Sequence, residues 1–221
     1  MKNGGYFLKQ FFFYYFLLVI LQLQATKITV IGAGYVGLVT SAILADLGHT
    51  VLCADIDKSK IEQLNNNIIP IFEPGLQDLI KDVSFSVKAT IQRNIAGKRL
   101  SFSHQVGLAV QEADIIFLSV GTPTDENGQA NLNALKAATL TIAKNLNTYK
   151  IICIKSTVPI GTYKVVKEII EKNSPKQVPF DIVSNPEFLR EGSALQDFLT
   201  RNPISDRRFL RICSTNNKKS L

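Results

Sequence analysis

Gly32-Ala33-Gly34-Tyr35-Val36-Gly37 follows the apolar run Lys27 to Ile31, and Asp55 closes the next apolar run, Val51 to Ala54. Residue types in this order suit a dinucleotide. Gly32 permits a tight turn, Gly34 lets the backbone approach a diphosphate, and Gly37 lets a helix pack on the strand. A helix opening at Tyr35 would hold the diphosphate on its unpaired N–H groups and on the positive end of its dipole. Asp55 lies at the distance expected of the acid that takes the adenosine ribose hydroxyls, and its carboxylate would repel a 2′-phosphate, so NAD is favoured over NADP. A glycine turn merely joining a strand to a helix is the simpler alternative; it does not account for the acid.

Three further loops carry reactive groups. They are Val120-Gly121-Thr122-Pro123-Thr124, the stretch from Lys155 to Thr162 with Ser156 and Thr157, and the stretch from Asn185 to Gly192 with Glu187, Arg190 and Glu191. Each falls at the carboxyl end of a predicted strand, the edge where open α/β sheets bind ligands. Ordinary Pro/Gly turns would explain any one of them, but would not gather hydroxyls, amides and carboxylates on one edge.

The elements that must position these groups alternate along the chain. Short apolar runs predict strands near 27–31, 50–55, 99–103, 114–120, 150–155 and 180–184, and amphipathic stretches predict helices near 35–47, 57–66, 75–82, 105–112, 132–146 and 161–172. Residues 82–97 first alternate like a strand, through Val83, Phe85 and Val87, and then read as a helix. The expected fold is α/β: a Rossmann-like, doubly wound, mostly parallel sheet with helices on both faces.

The chain has 221 residues, 46% of them hydrophobic, enough for a buried core. Its net charge of +7 is not a property of the fold: residues 27–199 hold 17 bases and 17 acids, while 1–26 carry +2 and 200–221 carry +5. A nucleic-acid partner has no support from that distribution. Cys53, Cys153 and Cys213 show no metal-ligand or disulfide spacing, and the first two lie in strand-like runs where a thiol is a small core hydrophobe; His49 and His104 stand alone. Phe11 to Leu21 is an uninterrupted apolar run, short for a membrane span and laid out like a signal segment. A signal or anchor, a natural extension, and sequence read upstream of the natural start all account for it. The last is favoured, which places the protein in the cytoplasm. The expected organisation is an apolar extension over 1–26, a cofactor-binding domain over 27–199 and a basic tail over 200–221.

Five segments in order, IGAGYVGL (31–38), FEPGL (72–76), VGTPTDENGQANL (120–132), KSTVPIGT (155–162) and NPEFLREGSALQDF (185–198), resemble the nucleotide-sugar 6-dehydrogenases, most closely those acting on UDP-glucose. The resemblance implies oxidation of the sugar's C6 alcohol to a carboxylate by two NAD-dependent hydride transfers, through a cysteine thioester. It implies that Gly32, Ala33, Gly34, Tyr35, Val36 and Gly37 take the diphosphate, Asp55 the adenosine ribose and Lys60 the neighbouring part of the cofactor. A solvated helix charge is the simpler reading of Lys60. Val120, Gly121, Thr122, Pro123 and Thr124 would pass beneath the cofactor, Ser156 would sit at its nicotinamide end, and Thr157 would help hold the catalytic water. Glu187 would be the base or water-orienting carboxylate, and Glu191 would touch cofactor and substrate. With Phe188, Leu189 and Arg190 these two would line the sugar-nucleotide side. Spaced four apart, Glu187 and Glu191 would share one face of a helix. Arg190 either meets the substrate's charge or pairs with an acid at the surface.

After Phe198 the resemblance stops. It leaves out the lysine, the nucleophilic cysteine motif, most of the uridine surface and the dimer interface of the family, whose members are homo-oligomeric. The chain is therefore expected to be an amino-terminal part, as a frameshift or early stop would leave, poorly soluble and inactive alone. Sister enzymes acting on GDP-mannose or N-acetylated sugar nucleotides, a noncatalytic NAD-binding module and a membrane-tethered interaction protein are the competing functions.

Overall fold

The computed structural model describes residues 25–84, 99–175, 177–186 and 189–201, with the backbone alone for 82–84 and 198–201. In chain order the elements are β1 (Lys27–Ile31), α1 (Tyr35–Asp46), β2 (Thr50–Ala54), α2 (Lys58–Asn65), α3 (Leu76–Ser84), β3 (Leu100–Ser103), α4 (Val106–Glu112), β4 (Ile115–Leu118), α5 (Asn133–Asn145), β5 (Lys150–Ile154), α6 (Thr162–Asn173), β6 (Phe180–Ser184) and α7 (Ala194–Arg201). All strand pairs are parallel, in the order β3-β2-β1-β4-β5-β6. Strand order reverses between β1 and β4, which opens a crevice at their carboxyl ends.

Strands buried on both faces need apolar side chains at every position, and these supply them with a period of two. Ile28, Val30, Ile115, Phe117, Ile151 and Cys153 join the core beneath α1 and α3, while Ile31, Ile116, Leu118, Ile152 and Ile154 join the core beneath α4, α5 and α6. Helix α1 is buried at every residue from Gly37 to Ala45, which is why it has no polar stripe. At the opposite end of the sheet Lys150 is completely buried, its ammonium donating to the carbonyls of Ala113 at 2.6 Å and Gln111 at 3.2 Å. A cation at the carboxyl end of α4 meets the negative end of the helix dipole. Burial lowers the Lys150 pKa, and the charge of Asp114 opposes the shift.

The strands and the first six helices fall where the sequence predicts them, within about two residues. Helix α3, however, continues to Ser84, because Leu76, Leu79, Ile80 and Val83 keep the i, i+3, i+4, i+7 spacing of one helix face. The strand-like alternation at Val83 therefore yields to the helical one, while Phe85 and Val87 lie outside the described residues. Helix α7 has no counterpart in the sequence-based assignment and continues across residue 199 to Arg201. Cys53 and Cys153 are buried, and burial pushes the Cys53 thiol up to about 12. His49 is half-buried with its pKa lowered by that burial, and His104 is exposed. Residues 1–24 with the apolar run, residues 202–221 with Cys213, and 85–98 lie outside the described residues. Among the described residues no helix is long and apolar enough to cross a membrane.

Candidate dinucleotide site

The three glycines of the first turn do different work. Gly32 has φ +106°, and a methyl built on it would stand 2.5 Å from the Ser119 carbonyl oxygen. One on Gly37 would stand 1.7 Å from the carbonyl oxygen of Gly32 itself. Both are therefore packing requirements, one against β4's end and one between α1 and β1. Gly34 is exposed, and a methyl there would meet nothing within 4 Å. Its open side is the space a diphosphate needs. Gly34 also caps α1 with no side-chain hydrogen bond, and the first turn carries no acid. The leading N–H groups of α1 thus have neither an intrahelical partner nor a competing carboxylate, which suits an anion. Ala33 is buried and donates its N–H to Asp55 Oδ2 at 2.7 Å. Val36 is half-buried on the first turn of α1.

Asp55 is held from three sides: besides Ala33, Lys60 Nζ lies 3.3 Å from Oδ2, and the Asp57 N–H donates to Oδ1 at 3.0 Å. A carboxylate has about four acceptor sites, so one remains for a ribose hydroxyl. Lys60 reaches this position because Asp57 caps α2 through the Lys60 N–H, placing the lysine in the helix's first turn. Its side chain is 31% exposed and ion-paired, so the simple solvated charge is not what the structure contains.

The loops after β4 and β5 are tied together. Thr122 Oγ1 donates to the Thr157 carbonyl at 2.7 Å, and Ser156 Oγ donates to the Val120 carbonyl at 2.6 Å. Ser156 is buried and spends its hydroxyl proton on this tie, while Thr157 is exposed. Gly121 and Pro123 are exposed, and Thr124 pairs with Ala130 in a short bridge closed by the Asp125 turn. Ser119, between Leu118 and this loop, lies under the glycine turn with a buried hydroxyl that has no hydrogen-bond partner among the described residues. Its neighbours gave it no distinguishing sequence signal.

The segment after β6 departs from expectation. Glu191–Ser193 form a turn, with Gly192 at φ +84°, so Glu191 precedes α7 and is not helical. The shared helix face proposed for Glu187 and Glu191 does not exist at Glu191; Glu187 and Phe188 lie outside the described residues. Leu189 packs on the core beneath α1. Arg190 pairs bidentately with Asp197, Nε to Oδ2 at 2.8 Å and Nη2 to Oδ1 at 2.7 Å. Of its two readings, pairing with an acid is the one observed, and the partner's carboxylate is only 10% exposed.

Glu73, a residue singled out only as part of the FEPGL segment, occupies the junction between the glycine turn and this segment. Buried beside α7, it accepts from the Tyr35 hydroxyl, from the Gly192 N–H at 2.8 Å and from the Leu195 N–H at 3.2 Å. Burial works against its charge, but the Tyr35 hydroxyl and the amides of Leu195, Gly192 and Ala194 outweigh it and lower its pKa. Tyr35 responds oppositely: burial, the hydrogen bond to Glu73 and its charge push the phenol up to about 12. The Tyr35 ring thus points toward Glu73, and its backbone alone belongs to the glycine turn.

A parallel sheet in this strand order, with a glycine turn at the switch point and an acid closing β2, defines a dinucleotide-binding domain of the Rossmann class. The sequence model of the UDP-glucose/GDP-mannose dehydrogenase family, NAD binding domain, matches residues 26–205, and the chain belongs to this family as its NAD-binding domain. It is 49% identical over 171 residues to UDP-glucose 6-dehydrogenase TuaD of Bacillus subtilis, covering 77% of this chain and 35% of the relative. It is 45% identical over 173 residues to UDP-glucose 6-dehydrogenase of Rhizobium meliloti, covering 78% and 37%. Among solved structures, a UDP-glucose dehydrogenase from Pyrobaculum islandicum superposes with TM-score 0.70 at 36% identity, covering 79% of this chain and 39% of that one. A GDP-mannose dehydrogenase from Pseudomonas aeruginosa superposes with TM-score 0.68 at 33% identity, covering 77% and 38%. The chain thus spans little more than a third of the length of these relatives.

Proposed function

We propose that this domain supplies the cofactor half of a UDP-glucose 6-dehydrogenase, which oxidises the C6 alcohol of UDP-glucose to the carboxylate of UDP-glucuronate. The open face of Gly34 beside the anchored Asp55 carries the reading, since there an anion-accepting helix end and a ribose-accepting carboxylate adjoin. NAD, when bound, accepts the hydride in each of two oxidations. The chain's residues bind and orient. The first turn of α1 takes the diphosphate, Asp55 accepts from the adenosine ribose, and Lys60 steadies that carboxylate. The tied loops at Val120–Thr124 and Ser156–Thr157 form the floor under the nicotinamide half. Glu187 serves as base or water-orienting carboxylate and Thr157 as its partner on the water. The UDP-glucose reading is supported by the 49% and 45% identities to UDP-glucose 6-dehydrogenases; among solved structures the identity is 36% to a UDP-glucose dehydrogenase and 33% to the GDP-mannose enzyme.

The thioester step needs an accessible thiolate. Among the described residues the cysteines are Cys53 and Cys153, and both are buried. We therefore expect this chain to bind NAD without turning over UDP-glucose by itself, as a cytoplasmic protein with access to the NAD pool. A chimera in which residues 26–205 replace the matching part of Bacillus subtilis TuaD tests the assignment. The substrate half of the chimera is TuaD's, so turnover reads the cofactor half: NADH formation with UDP-glucose supports the assignment, and NAD binding with no turnover overturns it.

A further inference from the structure

We propose that Glu73 is a positioning residue that fixes the Glu191 turn against the glycine loop, so that the cofactor and the Glu191 carboxylate are presented as one unit. The inference rests on the reading that Glu191 faces the cofactor. Its geometric basis is convergence on Glu73 from three parts of the chain. The Tyr35 hydroxyl from the start of α1, the Gly192 N–H from the turn and the Leu195 N–H from the first turn of α7 all donate to one carboxylate. Tyr35 adds two longer links to the same turn, its hydroxyl lying 3.3 Å from the Arg190 carbonyl and 3.3 Å from the Gly192 nitrogen. Glu191 is close enough that its charge acts on the Tyr35 phenol. The turn that carries Glu191 thus meets, on both sides, the hydroxyl of the residue next to Gly34.

Only a carboxylate serves at this position. Every neighbour directed at Glu73 is a donor, and a carboxylate offers acceptor sites alone. Glutamine would turn an N–H₂ group on one of those donors, with little change in volume. With its oxygens already occupied and its side chain buried, Glu73 is a holder rather than a proton carrier. The loop that presents it is itself constrained, by Pro70, Pro74 and Gly75 at φ +78°. Arg190 and Asp197 brace the turn from the other side, joining its start to the second half-turn of α7.

The test is a double-mutant cycle on the full chain, read by calorimetric NAD titration. Glu191→Gln should weaken NAD binding about fivefold or more in the natural background and far less in Glu73→Gln or Tyr35→Phe, where the turn is no longer held. A purely structural Glu73 would leave the Glu191→Gln effect unchanged, and additivity in both backgrounds overturns the proposal. Tyr35→Phe removes one oxygen only and keeps the cycle readable should Glu73→Gln not fold. If Glu191→Gln has no effect in the natural chain, the role assigned to Glu191 fails by itself. Hydrogen exchange then decides the clamp. NAD should slow exchange of the Gly192 and Leu195 amides in the natural chain and not in Tyr35→Phe; equal slowing in both overturns it.

Discussion

Gly34→Ala and Gly37→Ala should separate binding from folding, although both replace a glycine of one motif by the same methyl. At Gly37 the methyl stands 1.7 Å from a backbone oxygen, where ordinary contact begins at 3.4 Å. Helix α1 would have to move from β1 by about 1.7 Å, and neither backbone can yield without disturbing β4. The penalty belongs at or above the top of the overpacking range, about 3 kcal/mol. For a domain of this size that lowers Tm by about 6–12 °C. At Gly34 the φ of −82° is open to any residue and no atom lies within 4 Å. A weaker helix cap and the stiffer unfolded chain act in opposite directions, so the net stability change should stay within about 1 kcal/mol. The methyl instead occupies the space of the diphosphate. Losing one or two charge-assisted hydrogen bonds, about 2–3 kcal/mol, weakens NAD binding by roughly 30- to 150-fold. Thermal melts and calorimetry on both variants check this. Natural NAD affinity in Gly34→Ala, or an unchanged melt in Gly37→Ala, would refute the argument.

Asp55→Asn should reduce NAD affinity about tenfold or more and narrow the preference over NADP, measured by titrating both cofactors; an unaltered preference removes Asp55 from ribose recognition. Lys150→Ala should destabilise the fold by about 2–4 kcal/mol in urea unfolding, by leaving two carbonyls unsatisfied and a cavity, with NAD affinity intact because the site lies at the other end of the sheet. Acid should act through Glu73. Its folded pKa is lowered from 4.5, so the stability it confers is complete above that value and is lost as pH falls through the lowered one. The stability gap between the natural chain and Glu73→Gln should therefore narrow only below pH 4.5. Base should act through Tyr35, whose pKa rises from 10.0 to about 12, so the gap to Tyr35→Phe should be complete below 10 and close towards 12. A gap that ignores pH in either window excludes that group.

The sheet was legible because its signals are local. Period-two apolar runs such as Ile28, Val30 and Ile115, Phe117 fix both faces, and glycine spacing fixes the turn at Gly32–Gly37. Asp55 was legible because one strand separates it from that turn. Helix α7 was not, since Gly192 breaks the chain immediately before it and much of its hold comes from outside, including Glu73, 122 residues earlier by way of the Leu195 amide. Glu73 itself gave no signal of its function for the same reason: its donors come from residues 35, 192 and 195. Arg190 and Asp197 both stood in one recognised segment, yet only the turn at 191–193 brings them face to face. The glutamate spacing misled because a helical repeat was assumed where Glu191 opens a turn that the positive-φ Gly192 continues.

Cys53 and Cys153 lie in strands β2 and β5, on either side of the β1–β4 pair. Sealed this way, they are internal reporters. A maleimide can modify them only when the surrounding strands part, so with Cys213 changed to serine the alkylation rate becomes a clock for transient opening of the sheet. Slowing of that clock by saturating NAD would measure how far the ligand's grip extends into the protein's interior, at two positions it never touches.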